Sequence, residues 1–145
     1  MNWKSEAMEK LRLYEAKKRS LQSIPEEIRR LESAMKGIRS AAADGTPVSG
    51  GGSGREDMML NNIVQREELE RSLEQAKMWV ALVDAGWEIL TEEERLILER
   101  FYVHPEKGVA DRLAGDLGLD VKTVYKRKDA ALRRFTISLY GGTEI

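Results

Sequence analysis

Lys122, Lys126, Arg127, Lys128, Arg133 and Arg134 fall within residues 121–140, which hold one acidic side chain, Asp129. So dense a set of cations suits a polyanionic partner, and spacing decides which of them share a face. At 100° per residue, with Val124 set at zero, Ala131 and Phe135 fall within about 20° of it. Lys122, Lys126 and Arg133 fall on the opposite side, at about 160–200°. The segment is therefore predicted to be a helix whose inner face is Val121, Val124, Ala131, Leu132 and Phe135. A cationic ridge at the N-terminal end of a helix has the dimensions to enter the major groove of duplex DNA, about 12 Å wide. Lys122, Thr123 and Lys126 are the expected base contacts. Arg112, Tyr125, Arg127, Lys128 and Arg133 are the expected phosphate contacts, which position rather than specify.

Such a helix needs a partner to hold it outward. Val109, Leu113, Ala114 and Leu117 have the spacing of a short amphipathic helix. Gly118 suits a left-handed residue at its end, Leu119 plugs the turn, and Asp120 caps the next helix. Ala114, Gly118, Leu119, Asp120 and Val124 together form the pattern of a tightly crossed helix-turn-helix pair. Upstream, Thr91-Glu92-Glu93-Glu94 is a capping box opening a helix through about Tyr102, with Leu96, Ile97 and Phe101 on its buried side. Residues 90–141 thus read as one DNA-binding domain.

The remainder is helical. Trp3, Ala7, Leu11, Tyr14 and Leu21 recur at helical spacing over about 3–22, and Ser23 to Glu26 around Pro25 reads as a second helix start. Ile28, Leu31, Met35 and Ile38 would face inward from that second helix, making 1–43 a helical hairpin. Residues 44–54 are rich in glycine and serine, a linker composition. They lack the Gly-Lys-Ser/Thr ending of a phosphate-binding loop. A long amphipathic helix is predicted over 55–89. Its rows Leu69, Ala76, Val83 and Leu90, and Leu73, Val80 and Trp87, each repeat every seventh residue. The seam Leu69, Leu73, Ala76, Val80, Val83 and Trp87 is a candidate homodimer interface. The whole chain is expected to be all-α.

Other chemistry is poorly supplied. Zero cysteines and a single histidine, His104, leave no metal-ligand set. Neither a nucleophile–base pair nor a cofactor motif is visible, so neither an enzyme nor a cofactor is expected. The N-terminus lacks a signal-peptide core and the longest apolar run, Met78 to Val83, is far too short for a membrane span. A cytoplasmic location is the simplest expectation. Net charge is −1, but 55–105 carries twelve acidic and six basic residues. The cations near the C-terminus therefore stand out locally rather than overall.

Leu90 to Leu98, Val109 to Leu119, and Val124 to Phe135 with Ala131-Leu132-Arg133 together resemble region 4 of bacterial sigma factors. Residues from about 56 to 141 resemble phage- and prophage-encoded proteins with a sigma-like helix-turn-helix, among them ArpU- and RinA-type late-gene regulators. The resemblance is strongest in the C-terminal part. It implies a transcriptional regulator acting near promoters, with RNA polymerase as a further partner. The outward Lys122, Thr123 and Lys126 depart from residues typical of region 4, and nothing resembles the promoter-opening region 2. Two other expectations remain open: a small terminase-like DNA-packaging subunit, and a helical adaptor whose basic helix meets an acidic protein.

Overall fold

In a computed structural model, residues 2–43 and 52–144 are described. They form five α-helices and one π-helical turn, with no strand: α1 (Trp3–Ala43), α2 (Gly52–Glu88), α3 (Glu92–Leu98), the π-turn Glu99–Val103, α4 (Val109–Leu117) and α5 (Val121–Tyr140). The protein is all-α. No helix among the described residues is long and apolar enough to cross a membrane.

The helical hairpin predicted for 1–43 is instead a single helix, α1, with Pro25 inside it. Proline in a helix interior removes one hydrogen bond and costs about 3 kcal/mol. The flanks are dense in Lys, Arg, Glu and Leu, all good helix formers. Leu31 and Met35 are buried downstream, each worth about 1.5–3 kcal/mol. Together these outweigh the break. Of the linker predicted at 44–54, residues 44–51 lie outside the described residues, and Gly52 to Gly54 already belong to α2.

The chain divides into two compact units. Lys18–Met78 forms one. Within it the α1 and α2 segments run antiparallel, since Glu27 and Ser72 line one cleft while Met35, Arg39 and Arg66 line another. Buried Asn62 fixes the register: its Nδ2 donates to the Leu31 carbonyl at 2.8 Å, and its Oδ1 accepts from Arg66 Nε at 2.8 Å. A buried amide is stable only when so paired.

Met1–Lys17 with Trp79–Ile145 forms the other unit. It is wider than the domain predicted at 90–141, because Leu132 and Phe135 need more cover than α3 and α4 supply. Ala7 and Leu11 of α1, Val83 of α2, Leu90, Leu98 and Tyr102 complete that core. Gly86 lets α2 and α5 meet closely. A Cβ there would stand 2.9 Å from Leu139 Cδ2 and 3.2 Å from Phe135 Cε2. The chain ends meet in the same unit: Trp3 N–H donates to Thr143 O at 3.0 Å, and the rings of Trp3 and Tyr140 stack at 4.5 Å.

The face predicted as a dimer seam is turned into the chain's own interior. Ala76, Val80 and Val83 are buried, and Val83 and Trp87 belong to the core just described. Leu69 and Leu73 are half-buried. A heptad pattern specifies a helical neighbour, not whether that neighbour comes from another chain.

Candidate nucleic-acid interface

Thr91 and Glu94 make the predicted capping box, Glu94 N–H to Thr91 Oγ1 at 3.1 Å and Thr91 N–H to Glu94 Oε1 at 2.9 Å. The helix they start was expected to continue to Tyr102. It widens at Leu98 into the π-turn, closed by His104 N–H to Glu99 O at 2.8 Å. The extra residue lets Leu98 and Tyr102 enter one core while Phe101 borders a second, formed by Ile97, Leu113 and Val124. That second core joins α3, α4 and α5. Ala114 and Leu119 pack at its edge.

Gly118 ends α4 with φ 67° and ψ 35°, the left-handed conformation that favours glycine. Leu119 N–H returns to the Ala114 carbonyl at 2.9 Å, and the chain then turns directly into α5. Asp120 caps α5 by accepting from Thr123 N–H at 2.7 Å. The Thr123 hydroxyl, then its backbone N–H, and then the Lys126 charge hold the Asp120 carboxyl below its ordinary value of 3.8. Thr123, expected at a base edge, is thus half-buried and committed to the cap.

On α5, Val124, Ala131, Leu132 and Phe135 are buried, as the periodicity requires. Val121 is not: it stands 36% exposed at the first helical position, beyond the edge of the core. The cations separate into two groups. Lys122, Lys126 and Arg133 are exposed, and among the described residues none of the three forms an ion pair. The others are engaged within the chain. Arg127 pairs with Glu93, and Arg134 pairs with Glu94 and donates to the Ile89 carbonyl. Lys128 lies 5.2 Å from the ring centres of both Phe101 and Tyr125 and 3.5 Å from Asp129. Of the residues predicted to touch phosphates, Arg127, Lys128 and Arg112 (paired with Glu106 at 3.3 Å) already have partners. Tyr125 keeps an exposed edge while its ring meets Phe101 at 5.9 Å. The stripe left open is Lys122, Lys126 and Arg133.

One positioning cluster was invisible to sequence reasoning. Arg100, largely covered, donates to Asp116 at 2.7 Å and to Glu106 at 3.1 Å, tying the π-turn to α4 and to the loop before it. No local pattern joins charges so separated in sequence. Hydrogen bonding to Arg100, and then to Arg112, holds the Glu106 carboxyl below its ordinary value of 4.5 despite opposing burial. A carboxyl with a depressed folded-state pKa contributes stability that is complete above 4.5 and is lost as pH falls through the folded value. Glu106→Gln should therefore lower the urea midpoint at pH 7 and flatten its decline between about pH 5 and 3. An acid limb as steep as the wild-type one would show that Glu106 takes no part in it.

No protein-family model, no curated protein and no solved structure matches the chain.

Proposed function

We propose that this chain is a sequence-specific double-stranded DNA-binding protein, with α4, the Gly118 turn and α5 acting as a helix-turn-helix. In this reading the N-terminal end of α5 enters the major groove. Lys122 and Lys126 face base edges, and Arg133 grips a phosphate further along. The observation that carries the reading is the partition of cations on α5. Three exposed cations that form no ion pair among the described residues, Lys126 acting only at longer range on the Asp120 cap, lie directly opposite Val124, Ala131 and Phe135, whereas Arg127, Lys128 and Arg134 are paired within the chain. An unneutralised row on a rigid helix meets phosphates without first breaking its own ion pairs.

The resemblance to sigma region 4 and to phage late-gene regulators supports a place in transcription, beside RNA polymerase. A single such module reads few base pairs, each worth about 1–3 kcal/mol of discrimination, so binding to polymerase would supply the remaining affinity. A homodimer through the α2 seam forms no part of this proposal, because much of that face is covered within one chain. Catalysis forms no part of it either.

The test is a salt titration of binding to labelled duplex, using fragments recovered from a genomic selection with the purified protein. The Arg133 phosphate contact alone gives a log–log slope near −1, and each further cation that neutralises a phosphate steepens it by about 0.9. A slope near zero, or equal affinity for every fragment, would remove the claim of specific DNA recognition.

A further inference from the structure

Past Arg133 the open stripe of α5 gives way to a half-buried aromatic residue packed against the core. Tyr140, one heptad on, lies at about 160° on the same wheel and so about 10.5 Å further along the same side of the helix. There α1 joins it. Trp3 stacks on Tyr140, and the Lys10 ammonium stands 5.6 Å from the Tyr140 ring centre and 5.9 Å from that of Trp79. Lys17 comes within 5.6 Å of the same Trp79 ring. Lys10 is thus a cation held by ring faces and, among the described residues, in no ion pair with a carboxylate, so its charge is fixed in place without being neutralised by them. Lys126 and Tyr140 are about 21 Å apart along the axis, and each DNA strand carries a charge about every 3.4 Å. The extended row spans about six phosphates.

We propose that the start of α1 is a second DNA-contacting patch, in which Lys10, clasped by Trp79 and Tyr140, grips the phosphate backbone beyond the groove entered by α5. This rests on the DNA-binding reading above and adds to it a partner surface from the other end of the chain. Because the patch meets backbone and not bases, it adds affinity uniformly and leaves sequence preference untouched. Placing the cation between two rings limits the freedom it must lose when the phosphate arrives.

The experiment compares full-length wild type, Lys10→Gln, Lys10→Arg and Lys126→Gln on 10- and 20-base-pair duplexes carrying the same selected site, from 50 to 200 mM salt. On the longer duplex Lys10→Gln should reduce the slope by about 0.9, which makes the wild type lose about threefold more affinity than the variant across that range. Its preference among sites should be unchanged, and Lys10→Arg should restore the slope. Lys126→Gln should instead alter preference on both lengths. Circular dichroism establishes that each variant is folded, and mapping of ethylated phosphates that block the wild type supplies a readout needing no substitution. A Lys10→Gln slope equal to the wild-type slope on the long duplex, with the wild type bound, overturns the second patch and leaves the α5 reading standing. Failure of the wild type to bind any duplex overturns both.

Discussion

Phe135→Ala is expected to destabilise the protein by about 3–5 kcal/mol, the usual cost of removing a fully buried aromatic ring. Phe135 is 0% exposed and stands where α5 crosses α2. Its ring meets Trp87 edge-on at 6.3 Å and an interplanar angle of 86°. Leu11, Val83 and Leu132 share the same core, and the bare Cα of Gly86 brings α2 against the ring. Collapse around the resulting cavity is restricted because its walls come from three helices, so the higher end of the range is expected. Against a typical stability of about 5–15 kcal/mol this is a large fraction. Urea unfolding followed by tryptophan fluorescence measures it, since Trp87 reports on the site directly. A loss below about 1 kcal/mol would show that α2 and α5 do not depend on this packing. The same substitution bears on function, because the inner face of α5 is what keeps Lys122, Lys126 and Arg133 turned outward.

Features set by neighbouring residues were legible in the sequence. The capping box needs only Thr91 and Glu94, and both of its hydrogen bonds are present. Gly118 and Asp120 likewise declare themselves, because a left-handed residue and a side-chain cap are demands on one or two positions. Features set by distant partners were not. Pro25 reads as a break unless the burial of Leu31 and Met35 is known. Val121 satisfies the periodicity of α5 but lies past the edge of the core it would fill. Arg127 and Lys126 are adjacent cations in the sequence. Only the position of Glu93, thirty-four residues earlier, separates the bound one from the open one. Arg100 illustrates the same limit, as its two acceptors lie on segments that no short pattern connects to it. Periodicity gave the side of a helix, and tertiary pairing then decided which charges on that side remained available.

Replacing the three open cations, Lys122, Lys126 and Arg133, together by glutamine should weaken duplex binding by roughly two to four orders of magnitude, at about 1–2 kcal/mol for each interaction with DNA that is removed. The three side chains are exposed and none supports the core, so the melting temperature should change by no more than about 1–2 °C. Arg127→Gln is the informative companion. It removes an equal charge from the same helix, but one already paired with Glu93, so its effect on binding should be far smaller. It also frees a carboxylate on α3, and a modest loss of stability is its expected signature, since exposed pairs contribute about 0–1 kcal/mol. A general attraction between a basic helix and DNA would make the cost track the number of charges removed, wherever they sit. A shaped surface makes it track position. A triple variant that binds within about threefold of wild type, or an Arg127 variant that loses as much affinity per charge as the triple, would mean that the open stripe is not the surface that meets DNA.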